Sequence, residues 1–176
     1  MTRFLLLAHC ALLPLAALAQ RTPPSSRCPV IAATCTASLP VFDFGRRPMN
    51  ADAPAILGTN SVTVTCVRSQ TAEGLKIDVD YVLKAVPAEP ARSMRNNDGG
   101  YLRYFLFLDA GRTRHWGDGF QFGTFAIEDK LKLDDRNRTV THTHVLYGTV
   151  DAYQIVQPGL QLGLVGARLE YQLACK

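Results

Sequence analysis

Alternation of apolar and polar positions dominates the chain. Residues 61–67 (SVTVTCV) put Val62, Val64 and Cys66 on one face and threonines on the other. Residues 75–85 (LKIDVDYVLKA) alternate over a longer span. Leu75, Ile77, Val79, Tyr81 and Leu83 face one way, with Lys76, Asp78, Asp80 and Lys84 opposite. A period of two means a strand with one buried face. Residues 101–108 (YLRYFLFL) are apolar on both faces, as a central strand can be, and residues 139–147 (TVTHTHVLY) are rich in β-branched side chains. Residues 167–175 place Ala167, Leu169, Tyr171, Leu173 and Cys175 on one face, with Arg168, Glu170 and Gln172 on the other. No segment carries the 3.6 period of an amphipathic helix.

Turn signals separate these runs. They are Pro87 and Pro90, residues 96–100 (NNDGG), Gly117-Asp118-Gly119, and Pro158-Gly159. Residues 134–137 (DDRN) read as a polar hairpin tip between a short strand at 131–133 and the strand at 139–147. Short strands with regular turns predict an all-β chain folded as an immunoglobulin-like β-sandwich. Six strand regions follow Cys35, one fewer than the roughly seven of a complete constant-type sandwich. The expectation is therefore an incomplete sandwich whose final strand a partner supplies. Such an edge exposes unpaired backbone groups, and an extended segment satisfies them by β-strand addition.

The N-terminus changes the picture. Arg3 precedes an apolar stretch over residues 4–19 that ends Ala17-Leu18-Ala19, the small-x-small pattern of a cleaved export signal. The stretch is shorter than the roughly 20 residues of a membrane span. Residues 1–19 are read as a signal peptide and residues 20–34 as an N-terminal extension that could donate a strand. Residues 35–176 are read as one sandwich domain, long enough for a sizeable core. The net charge of +4 is too mild to argue nucleic-acid binding or insertion of the mature chain into a membrane. Beyond the signal, Cys28, Cys35, Cys66 and Cys175 remain. An even count in an exported chain points to disulfides, and without close C-x-x-C pairs a metal knuckle is not indicated. Four cysteines allow three pairings.

Candidate chemistry is sparse. There is no G-x-S-x-G, no H-E-x-x-H and no glycine-rich phosphate loop, so no enzyme activity and no cofactor are expected. His142 and His144 share a strand face and could bind a metal with Asp134 or Asp135 from the turn. The simpler reading makes them ordinary strand residues. Trp116-Gly117-Asp118-Gly119 reads as a turn in which the lone tryptophan caps the core, with a surface aromatic as the functional alternative. In Arg92-Ser93-Met94, the arginine can tie a loop to strand carbonyls and the methionine can fill a sandwich end.

In order along the chain these clusters form a pattern. Cys35 is followed by Phe44-Gly45, Gly58 and Val62-x-Val64-x-Cys66. Then come Arg92-x-Met94, Leu102-x-Tyr104-x-Leu106-x-x-Asp109 and Trp116-Gly117-Asp118-Gly119. Tyr147-Gly148-x-Val150, Pro158-Gly159 and a strand through Tyr171 complete it. Over residues 35–173 the chain resembles the spore coat protein U family of archaic chaperone–usher pilus subunits.

The resemblance implies an immunoglobulin-like fold lacking its last strand, with a Cys35–Cys66 disulfide. The extra pair, Cys28 and Cys175, would then bond to each other. It implies delivery by a periplasmic chaperone, assembly through an outer-membrane usher with neighbouring subunits, a surface or secreted destination, and roles in adhesion and biofilm formation. The acceptor groove would be lined by Leu169, Tyr171 and Leu173 on the last strand, with Val41 or Phe42 on the first. Pro23 and Pro24 lack N–H donors and Ser25, Ser26 and Arg27 are polar, so the extension makes a poor donor strand. A Cys28–Cys175 bond would tether it to its own domain, which suits a minor or terminal subunit. The alternative is a self-contained secreted sandwich that binds a ligand such as a glycan through Trp116 with Tyr101 or His115.

Overall fold

The alternation in residues 75–85 becomes a strand whose apolar positions are sealed. Ile77, Val79 and Leu83 are fully buried while Asp78, Asp80, Val82 and Lys84 face outward. The computed structural model describes residues 28–29, 31–45, 54–96, 99–152, 154 and 161–176. The expected signal peptide at residues 1–19, most of the expected N-terminal extension and Pro158-Gly159 lie outside the described residues. Eight strands are present among those described: β1 (Ala33–Ser38), β2 (Ile56–Arg68), β3 (Ile77–Val86), β4 (Arg92–Arg95), β5 (Tyr101–Phe107), β6 (Ile127–Leu133), β7 (Thr139–Val150) and β8 (Gly166–Cys175). One 3-10 turn, Gln70–Ala72, joins β2 to β3. No helix among the described residues is long and apolar enough to cross a membrane.

The strands form two antiparallel sheets, ordered β1-β2-β7-β5-β4 and β6-β3-β8. They pack as a β-sandwich. β2 and β7 form the long central ladder, from Ile56 opposite Val150 to Val67 opposite Thr139. Threonines line its outer face, where the Thr65 and Thr141 hydroxyls meet at 2.9 Å. Val62, Val64, Cys66, Leu106 and Leu146 point inward to meet Ile77, Val79, Leu83, Leu131 and Leu133. Burying each such side chain stabilises the fold by about 1.5–3 kcal/mol.

Two expectations are corrected. The count of six strand regions after Cys35 becomes seven, because the short β4 is a strand as well, and Cys35 itself lies in β1. The turn at residues 134–137 does not close a paired hairpin, since β6 and β7 belong to different sheets. Asp134 instead accepts the Arg136 and Asn137 amides at 2.9 and 2.7 Å, which bends the chain from one sheet to the other.

Both disulfides form. Cys35 and Cys66 are ladder partners on β1 and β2 with Cα atoms 4.0 Å apart. Cys28 is bonded to Cys175, at the last position of β8, with a Cα separation of 5.2 Å.

Candidate functional site

Each sheet ends in an unpaired edge on the same side of the sandwich. Among the described residues β1 pairs only with β2 and β8 only with β3, and the two edges run beside one another. An edge strand carries a row of backbone donors and acceptors with no ladder partner. On β8 the register is decisive. Leu83 stands opposite Leu169, Tyr81 opposite Tyr171, and Val79 opposite Leu173. Directly opposed residues share a face of the sheet. The β3 members are 0–2% exposed, whereas Tyr171 is 38% exposed and Leu169 and Leu173 are only partly buried. Facing them, β1 offers only small inward side chains: Ala33, Cys35 and the half-buried Ala37. The inward apolar row of β8 is thus covered from its own sheet and left open beyond it.

The two first-strand candidates lie elsewhere. Val41 is 89% exposed and sits beyond β1. Phe42 turns away over the central ladder. Its ring stacks on Phe44 at 4.8 Å, and Phe44 meets Tyr104 edge-on at 6.0 Å. The floor under these rings is the opposed pair Gly58 and Gly148. A Cβ on Gly58 would lie 2.9 Å from the Phe42 ring, and one on Gly148 would lie 2.6 Å from it. Asn60 holds the segment down by donating to the Val41 carbonyl at 2.8 Å and the Pro40 carbonyl at 3.3 Å. Gly45 closes the segment with φ of 75° and donates to Asp43.

The remaining motif residues hold loops to strands. Arg92, 3% exposed, donates to the Trp116, Pro87 and Pro90 carbonyls at 2.7, 3.2 and 3.3 Å. Trp116 is fully buried and donates its indole N–H to the Leu83 carbonyl at 3.3 Å. Gly117 accepts from Ala85, bringing the turn against β3, and has no room for a Cβ beside Thr124. Asp118 caps the following turn, accepting from the Gln121 and Phe120 amides, which hold its carboxyl below the usual range. Gly119 takes φ of 79°. Asp109 does the same one loop earlier, lowered chiefly by the Arg114 amide. Met94 packs half-buried where Gly163 passes, and the Arg112 guanidinium lies 5.9 Å from the Tyr147 ring. The glycan reading loses its central aromatic here: Trp116 is inside the core. The His115 ring lies against Phe107, tilted by 34° with centroids 4.5 Å apart, and only Tyr101 of that trio is largely exposed.

The two histidines enter a polar network between the sheets. The Tyr81 hydroxyl lies 2.7 Å from His144 Nε2 and 3.2 Å from His142 Nδ1. Asp129 Oδ2 lies 2.8 Å from His142 Nδ1 and 3.2 Å from the Tyr81 hydroxyl. Neither aspartate of the turn takes part: Asp134 caps the turn, and Asp135 pairs with buried Arg68 at 2.5 Å. With the phenol between the imidazoles, the groups satisfy one another. Burial pushes His144 below its ordinary value against the pull of Asp129. Burial also raises Tyr81, reinforced by the Asp129 charge. Burial alone would raise Asp129, but the Lys130 amide and His142 bring it below the usual range. Sequence reading missed Asp129 and Tyr81 as members. The available signal was Asp129 itself, a charge on the inward face of a strand otherwise lined by Ile127, Leu131 and Leu133.

A family model, the Spore Coat Protein U domain, matches residues 22–166. No curated protein matches the chain.

Proposed function

The chain belongs to the Spore Coat Protein U domain family, and from that premise we propose a structural subunit of an archaic chaperone–usher type pilus, assembled by donor-strand complementation. Membership itself carries the coarser statement, since the family comprises pilus- and fimbria-type subunits. The role is structural, in a surface appendage built with other subunits. The family is not one of enzymes. The proposal adds a periplasmic chaperone and an outer-membrane usher as partners in transit, and adhesion and biofilm formation as the outcome.

One observation carries the strand-accepting part: the inward row of β8 retains exposure at Leu169, Tyr171 and Leu173 while its ladder partners on β3 are sealed. A strand laid along β8 would pair its free backbone edge and cover that row together. We further place the chain as a minor or terminal subunit, because the Cys28–Cys175 bond holds the would-be donor extension to its own domain. A Cys28→Ser variant that assembles no differently from the parent removes this placement.

The test of the main reading is thermal unfolding of the mature chain with and without excess donor peptides. The panel comprises residues 20–34 and the N-terminal segments of pilin-like proteins encoded beside it. A peptide that binds only the folded state stabilises it by mass action, by about 2.7 kcal/mol at a hundredfold excess over its dissociation constant, and so raises the midpoint. A midpoint that no peptide moves means a complete sandwich and returns the chain to a self-contained secreted domain.

A further inference from the structure

We propose that the Cys28–Cys175 disulfide closes one end of the opening between β1 and β8, and so sets where an added strand must stop. The partner this fits is a short extended segment from another chain, carrying three alternating apolar side chains for Leu173, Tyr171 and Leu169. The proposal rests on the strand-accepting reading above and adds the length and register of what is accepted.

The ends of the opening differ. β1 begins where β2 ends, with Ala33 opposite Arg68, and β8 ends where β3 begins, with Cys175 opposite Ile77. These four termini therefore share one end of the sandwich. There, Cys28 is bonded to Cys175, and the chain from Cys28 leads directly into β1. Ala32 and Ala33 are buried, and the Ala32 carbonyl accepts from the Ser69 amide at 2.9 Å. Lys176 and Lys76 exchange backbone hydrogen bonds of 2.8 and 3.1 Å, which hold the chain end against β3. The edge of β8 is thus joined covalently to the edge of β1 at this end. At the other end no such strap exists among the described residues. The chain after β1 leaves toward Gly58 and Gly148, and Leu164, just before β8, is 91% exposed.

Between the two ends, inward positions on β8 recur every second residue, about 6.6 Å apart. Cys175 is 6% exposed and occupied by its own bond, so the level nearest the strap has no vacancy. Leu173, Tyr171 and Leu169 follow, and beyond them Ala167 is small. An added strand meets three receptive levels and then a wall. Residues 20–27 of this chain (QRTPPSSR) do not supply such a segment, because two prolines interrupt the donors and no apolar alternation exists.

The experiment measures binding of fluorescein-labelled peptides by anisotropy. The probes are lysine-capped Val–Thr repeats with two, three, four and five valines. The proteins are the mature wild-type chain and a Cys28→Ser/Cys175→Ser variant that keeps the Cys35–Cys66 bond. With wild type, affinity should rise about tenfold from two valines to three, as a buried valine predicts, then stay within about twofold. With the variant, the fourth valine should add a further gain. Equal gains from the fourth and fifth valines in wild type overturn the proposal, and so does one shared plateau in both proteins. If the variant does not fold, the wild-type series still decides through those longer peptides. Failure of every peptide to bind either protein removes the strand-accepting reading itself, a different outcome from a plateau in the wrong place.

Discussion

Leu83 and Leu169 are the same residue type, opposite one another in one ladder and on one face, yet only Leu83 is fully buried. Truncation should separate them. Leu83→Ala should cost about 3 kcal/mol, the transfer term plus a cavity, whereas Leu169→Ala should cost about 1 kcal/mol. Urea denaturation of the two variants checks this, and equal losses would mean that β8 is as well covered as β3. His144 gives a second residue-scale expectation. Its pKa is held below the ordinary 6.5 by burial, so below about that pH the unfolded chain binds a proton that the folded chain refuses. Its contribution is complete above pH 6.5 and is lost as the pH falls beneath it. His115, lowered by burial and by the Arg92 charge, acts in the same direction. Thermal midpoints should therefore fall between pH 7 and pH 5, and less steeply in His144→Gln. Parallel pH profiles for parent and variant would exclude His144 as a source of the slope.

At the scale of elements, the paired glycines of β2 and β7 permit an aromatic segment to lie on the central ladder. Gly148→Ala puts a methyl 2.6 Å from the Phe42 ring, so Phe42 must leave its stack on Phe44. The expected loss is about 1–3 kcal/mol, as for overpacking. Gly74→Ala supplies the contrast. There a Cβ meets nothing within 4 Å, and only the left-handed backbone (φ 81°) is strained. Urea denaturation measures both losses, and near-ultraviolet circular dichroism of the folded proteins should change for the first variant and not the second. These elements also mark what sequence reading reached. The long strands were legible because one face of each is buried, and period two follows from that alone. β4 was not, because four residues hold too few alternations and Arg92 is inward only through carbonyls supplied by distant loops. Phe44, Gly58, Gly148, Arg92 and Trp116 were visible as an ordered pattern, but nothing local shows that Phe42 rests on two glycines from different strands. The polar network was half legible: the His142–His144 spacing shows one face, whereas Tyr81 and Asp129 come from strands of the other sheet.

Across the whole molecule, backbone pairing predicts which amides are protected. Among the described residues, β3 is paired on both sides from Ile77 to Leu83, β2 from Thr63 to Val67 and β7 from Tyr147 to Val150, whereas β1, β6 and β8 each have one ladder neighbour. In the free chain both alternate sets of amides on these doubly paired stretches should exchange slowly. On β1, β6 and β8 one set should exchange fast, because it points away from the sole partner, whereas on β4 the Arg95 amide is held by the Leu162 carbonyl at 2.8 Å. The proposed strand addition at the β8 edge would change one part of this map. Binding of a donor peptide would turn β8 from an edge into an inner strand, so its second set of amides becomes slow while β6 keeps its own fast. Residue-resolved hydrogen exchange of residues 20–176, with and without a peptide that raises the thermal midpoint, reads this directly. New protection along β6 or β4 would move the acceptor edge to the other side of the sandwich, where Asp129 and the histidines lie. Protection spread evenly over all eight strands would mean that the peptide stabilises the fold without adding a strand. Protection confined to β8 and the facing edge of β1 is the outcome that the half-covered row of Leu169, Tyr171 and Leu173 requires.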